Sequence, residues 1–176
     1  MRALHGWVVA GILIGASAPG FAASAAEERF LIMELMDRYG IVHDFGGPEE
    51  FAALFTDDAV IESGGRVMVT GREALVQQGQ RDEQKYFTFQ GGDGKKSSFM
   101  RHVITNRQVR LTGRNTAEGS CYVITLINDS AAGPQVFSMS RYVDRYRKVR
   151  GEWRIEHRNI VGESGNPELA RKFGFR

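Results

Sequence analysis

The 176-residue chain has one cysteine and four prolines, and it carries almost no net charge: 23 basic side chains stand against 21 acidic ones. A single thiol, Cys121, excludes an internal disulfide framework. Its place between Ser120 and Tyr122 in an apolar run makes it core filler. The near-balance of charge does not suggest the basic face or stripe that nucleic-acid binding needs. The basic residues between Arg141 and Arg158 alternate with apolar ones, as on a half-solvated strand. The longest apolar run, Trp7–Ala16, is about ten residues, too short to span roughly 30 Å of hydrocarbon, so no membrane anchor is expected. Histidine is scarce too. His43, His102 and His157 are the three beyond the N-terminal segment, with no His-x-His or His-x3-His pair. A metal centre with three clustered ligands is therefore not expected.

The first residues read as an export signal. Arg2 precedes the apolar run, Pro19-Gly20 breaks it, and small residues Ala22-Ala23-Ser24-Ala25-Ala26 follow. Cleavage after Ala25 satisfies the small-x-small rule; Ala22 and Ala23 are alternative sites. The expected product is a periplasmic or secreted protein. Its domain occupies residues 26–162, and a weakly patterned tail, 163–176, packs on the domain or on a neighbouring subunit.

Periodicity then supplies the elements. Apolar residues at helical spacing, including Phe30, Met33, Met36 and Tyr39, predict a helix over Glu27–His43, stopped by Gly46-Gly47-Pro48. Pro48 opens a second short helix that ends at Thr56-Asp57-Asp58. Residues 59–63 and 66–70 form a hairpin around Gly64-Gly65. Gly71–Gln80 is a third helix, and the glycine-rich 91–98 stretch is a polar loop. Four long β-rich runs follow, at 99–112, 117–128, 135–149 and 152–161. Helices first and a strand meander last predict an α+β fold with an antiparallel sheet.

Polar residues in apolar company are the candidates for chemistry. Asp44 closes the first helix, His102 opens a long strand, and Arg158 lies near the end of the last strand. A carboxylate that accepts a hydrogen bond from an imidazole fixes its tautomer and frees the other ring nitrogen for proton transfer. An arginine nearby can hold a developing anion. Spacing alone does not bring the three together. His43 adjoins Asp44 but points about 100° away on a helix, which favours a surface or subunit contact. His157 alternates with Arg158, so the two face opposite sides of their strand. Gly91–Lys96 lacks the phosphate-loop spacing, and no Gly-x-Ser-x-Gly elbow is present.

Several segments together resemble a known family. Tyr39-x4-Asp44, Phe51-x2-Leu54-Phe55-x-Asp57-Asp58-Ala59-Val60 and Gly71-Arg72-Glu73-Ala74-Leu75 look like the opening of a SnoaL-like domain of the nuclear-transport-factor-two-like superfamily. His102-x3-Asn106 is similar to its central histidine strand. Tyr142-x3-Tyr146-x4-Arg150-Gly151-Glu152-Trp153-Arg154-Ile155 is similar to its closing hairpin. The resemblance runs from about Glu27 to Val161 and is nearest to the lyase branch: scytalone dehydratase, hexachlorocyclohexane dehydrochlorinase and bile-acid dehydratase.

That resemblance implies helices packed into a strongly curved sheet, a cone-shaped α+β barrel around a mostly apolar pocket. It implies an Asp44–His102 dyad assisted by Tyr39 and Arg158. Phe55, Ile61, Tyr122 and Tyr142 are expected to line the pocket, with Asn106 as a further contact. It implies a cofactor-independent lyase, a homotrimer, and an apolar aromatic or polycyclic substrate. Water, or a small carbonyl such as formaldehyde, would leave. The alternatives are an isomerase or cyclase of the same fold, or a non-catalytic binder of a hydrophobic ligand. The long stretch from Gln80 to Phe99 departs from the family pattern and is either a lid or a surface insertion.

Overall fold

The computed structural model describes residues 24–92, 94–129 and 131–175. The expected export signal lies outside these residues, apart from its last two positions. Among the described residues, four helices and eight strands follow in the order α1 (Ala25–Phe45), α2 (Pro48–Ala52), β1 (Phe55–Ser63), β2 (Arg66–Thr70), α3 (Gly71–Tyr86), β3 (Phe89–Gln90), β4 (Lys96–Ser97), β5 (Met100–Leu111), β6 (Thr116–Asp129), β7 (Gly133–Val149), β8 (Glu152–Gly165) and α4 (Pro167–Phe173).

Helix α1 starts at a capping box. The Ser24 hydroxyl accepts from the Glu27 backbone N–H, and the Glu27 carboxylate accepts from the Ser24 N–H. Pro48 at the first turn of α2 and the Glu50 carboxylate on the Gly47 N–H set the second helix. Helix α2 ends earlier than expected, and Thr56–Asp58 belong to β1. Phe55 pairs with Ile155, and the Ile155 N–H donates to the Leu54 carbonyl, so sheet pairing takes these residues. Helix α3 runs to Tyr86, beyond the expected Gln80.

The main sheet has the order β2-β1-β8-β7-β6-β5. The α+β class and the curved sheet are as expected, with two differences of detail. The sheet is open, with β2 and β5 at its edges, and is not a closed barrel. It is also mixed: β1 pairs with β8 in parallel, and every other neighbouring pair is antiparallel. Register shifts interrupt each of these ladders, and such bulges bend and twist strands. The curved face holds α1, whose Ile32, Leu35, Met36 and Tyr39 are buried against inward residues such as Val123, Tyr146 and Ile155. Burial of this apolar surface is the main stabilising term.

The tail packs on its own domain. Asn166 caps α4, and Leu169, Phe173 and Phe175 join Phe99, Met100, Ile127 and Phe137 in a second apolar cluster. Lys172 pairs with Asp129. The expected 91–98 loop is not wholly irregular: its Lys96–Ser97 form β4, which pairs antiparallel with β3 just before the loop. Among the described residues no helix is long and apolar enough to cross a membrane.

Candidate active site

Asp44 sits in the last turn of α1, where the helix dipole disfavours a carboxylate. It is also 3% exposed. Two hydrogen bonds from one residue compensate. The His102 backbone N–H donates to Oδ2 at 2.9 Å, and His102 Nδ1 lies 2.7 Å from Oδ1. With Nδ1–H as donor, Nε2 carries the free lone pair. Gly40 permits this approach of helix to strand. A Cβ there would lie 3.1 Å from the His102 carbonyl oxygen and 3.3 Å from Ile104 Cγ1. The backbone adds a tie, Ser98 N–H to the Asp44 carbonyl at 3.0 Å.

Arg158 forms the second part of the site. It is 1% exposed and lies opposite Asp144 in the β7–β8 register. Nε and Nη2 donate to the two Asp144 oxygens at 3.0 and 2.6 Å, and the Tyr146 hydroxyl donates to Oδ2 at 2.7 Å. The guanidinium lies 4.0 Å from the ring centre of Tyr39 and 4.1 Å from that of Tyr142. Burial opposes its charge, and the Asp144 carboxylate outweighs that effect, so its pKa rises well above the usual value. Nη1 is buried and has no hydrogen-bond partner among the described residues. A buried N–H of this kind is a donor that an acceptor oxygen can satisfy. Burial raises the phenol pKa values of Tyr39 and Tyr142.

The expected site residues divide. Asp44 and His102 form one pair, and Tyr39, Tyr142 and Arg158 stack together beside it. Phe55 and Ile61 are buried on the same inner side. Phe55 packs on Tyr39 and Phe51, and Ile61 pairs with Arg158 in the sheet register. Tyr122 does not belong here: it is 40% exposed on the outer face, because Cys121 and Val123 take the inward positions of β6. Asn106 is also excluded. It is exposed at the β5 bulge with φ +53°, a backbone Asn tolerates, and its carboxamide accepts from Thr105. His157 faces away from Arg158 and meets Glu62 at 3.4 Å.

His43 is a correction. Its ring centre is 4.3 Å from that of His102, inside the molecule and not on the surface. His102 of β5 covers its ring on one side, and Phe51 of α2 and Asp82 of α3 cover it on others. The sequence thus conceals a cluster: His43, Asp44 and His102 each offer a ligand-type atom, all within 4.8 Å. Such donors suit a divalent cation, although both Asp44 oxygens already engage His102. Asp144 was also missed; the Tyr142-x-Asp144-x-Tyr146 alternation pointed it inward.

The interior beside the dyad is filled. Tyr39, Phe51, Phe55 and Tyr142 pack edge-on or tilted, with ring centres 5.3–6.2 Å apart. The cavity touching the site, between His43, Phe51, Asp82 and Phe87, measures about 10 Å³. A larger concavity of about 680 Å³ lies on the outer sheet face, away from Asp44 and His102.

Known proteins share this architecture. No functionally curated protein matches the chain. Among solved structures, a protein of unknown function from Mycobacterium tuberculosis is 25% identical, with a TM-score of 0.66, covering 78% of this chain and 77% of that one. A putative scytalone dehydratase from Novosphingobium aromaticivorans is 20% identical, with a TM-score of 0.64, covering 80% and 87%. The protein LinA is 19% identical, with a TM-score of 0.62, covering 79% and 88%. These likenesses show a shared fold. The SnoaL-like domain model matches residues 24–159, and the chain belongs to the SnoaL-like family.

Proposed function

We propose that the protein is a cofactor-independent lyase acting on an apolar aromatic or polycyclic small molecule. The observation that carries this reading is the double attachment of Asp44 to His102, which leaves Nε2 as the free proton acceptor. His102 removes a substrate proton. Water, or a small carbonyl such as formaldehyde, departs. Arg158, through the Nη1 that has no hydrogen-bond partner among the described residues, holds the oxygen on which charge develops, with Tyr39 against its face. The buried aromatic rings around Tyr39 suit an aromatic body once they swing aside. A neighbour described as a putative scytalone dehydratase supports the reaction class. The protein works outside the cytoplasm as a homotrimer, which fractionation and light scattering test.

The deciding experiment incubates the purified protein with lignin-derived diaryl propanoids and hydroxysteroids and reads product mass. Products lighter by water or formaldehyde support the lyase. Products of unchanged mass identify an isomerase or cyclase, and binding without conversion identifies a ligand carrier.

A further inference from the structure

His43 has the surroundings of a working group, not of a core filler. Its side chain is 14% exposed, and its ring packs against His102 at 4.3 Å, Tyr39 at 5.6 Å and Phe51 at 5.7 Å. A phenylalanine would make those ring contacts equally well. The imidazole instead buries Nδ1 with no hydrogen-bond partner among the described residues. Its Nε2 lies 3.8 Å from Asp82 Oδ2 on α3, too long for a direct hydrogen bond. Asp82 is itself largely covered, at 17% side-chain exposure, and its Oδ1 accepts from Gln78 Nε2 at 2.8 Å, which leaves Oδ2 facing His43. Between them lies the 10 Å³ cavity, about the volume that holds one water-sized probe, lined also by Gly46, Gly47, Gly79 and Phe87.

A buried base needs a way to exchange the proton it takes. Asp44 does not provide one, because each of its oxygens is held by His102. The His102 side chain is only 8% exposed. His102, His43 and Asp82 form a line of three proton-carrying groups that ends at the cleft between α1 and α3.

We propose that His43 and Asp82 form a proton relay connecting His102 with solvent through the α1–α3 cleft. The proposal rests on His102 being the base. After His102 takes a substrate proton, His43 accepts one proton on the ring nitrogen nearer His102 and releases another from its opposite nitrogen toward Asp82, and Asp82 passes it to solvent. In a dehydration, the departing hydroxide combines with an equivalent solvent proton to give water; His102 and Asp82 are then back in their starting states, and a flip of the His43 ring restores its starting tautomer. In a formaldehyde loss, the proton returns along the same line to the carbon left behind.

The charge environment suits this role. His43 is faced by Tyr39 and Asp44 from α1, His102 from β5, Arg158 from β8 and Asp82 from α3, with Arg81 and Lys85 beside Asp82. Burial, reinforced by His102 and Arg158, holds His43 neutral far below the usual imidazole range. Burial also raises the Asp82 carboxyl. A neutral imidazole has one donor and one acceptor nitrogen and passes protons in either direction.

The test compares wild type, His43→Phe and Asp82→Asn by NMR of the ¹⁵N- and ¹³C-labelled full chain. Proton exchange at the His102 imidazole is read from line shapes, with no substrate needed. The relay predicts exchange slowed about tenfold or more in both variants, with the Asp44–His102 bond intact. Unchanged exchange in Asp82→Asn overturns the relay, and that variant decides the matter if His43→Phe does not fold. With a substrate in hand, kcat falls in both variants and recovers with added imidazole buffer, while kcat/KM is largely kept. Loss of both constants without buffer rescue overturns the relay as well. Absence of any wild-type turnover counts against the lyase reading and leaves the exchange measurement to judge the relay.

Discussion

Asp44 holds His102 at two points, one carboxylate oxygen on the backbone N–H and the other on Nδ1. A pair joined at the ring alone can swing; this one fixes ring plane and tautomer together. The expected resting form is Nδ1–H with a bare Nε2. Long-range ¹⁵N–¹H correlation spectra read the tautomer directly. In Asp44→Asn the carboxamide oxygen can satisfy only one of the two donors, so the Nδ1–H tautomer loses its dominance.

The Arg158–Asp144 pair makes a stability prediction. The two charges are almost completely enclosed and are joined by two hydrogen bonds. Asp144→Ala leaves a buried guanidinium uncompensated and costs about 3–5 kcal/mol in urea unfolding. The double variant Arg158→Met/Asp144→Leu removes both charges and recovers most of that loss. It does not recover turnover, because the Nη1 donor is gone.

The imidazole of His43 shapes the acid limb of stability. Its folded pKa is depressed well below the ordinary 6.5 by burial, so the unfolded chain binds a proton that the native chain refuses. The contribution is fully present above pH about 6.5 and is lost as pH falls from there toward the folded value. Asp82, raised by burial above its ordinary 3.8, acts in the opposite sense: its contribution is present below that value and is lost as pH rises through the folded one. Urea unfolding at pH 7 and pH 5 is therefore expected to show a smaller loss on acidification in His43→Phe than in wild type.

Cys121 is inert in the native state. It is 2% exposed, and burial pushes its thiol up to about 11. Thiol-reactive dye at pH 8 is expected to label it only after denaturation. Rapid labelling of the native protein contradicts the packing described for β6.

The dyad was legible because its two residues sit in motifs whose elements also follow from periodicity. Strand alternation correctly separated Arg158 from His157. The same rule, applied to Cys121 as core filler, turns Tyr122 outward, so those two sequence expectations were incompatible from the start. Asn106 escaped alternation through the bulge between Thr105 and Gln108. His43 and Asp82 were hidden for a different reason. One is a step around a helix and the other resembles a solvated acid on α3; only the closure of the sheet and α3 around the end of α1 makes them neighbours. The parallel β1–β8 pairing is equally non-local, joining residues nearly a hundred positions apart.

The most direct test of the central claim is turnover of one accepted substrate by wild type, Asp44→Asn and His102→Ala. The account predicts a fall in kcat of roughly 10²–10⁴-fold for His102→Ala and a large fall for Asp44→Asn, with folded spectra in both. Full activity in both variants would contradict it.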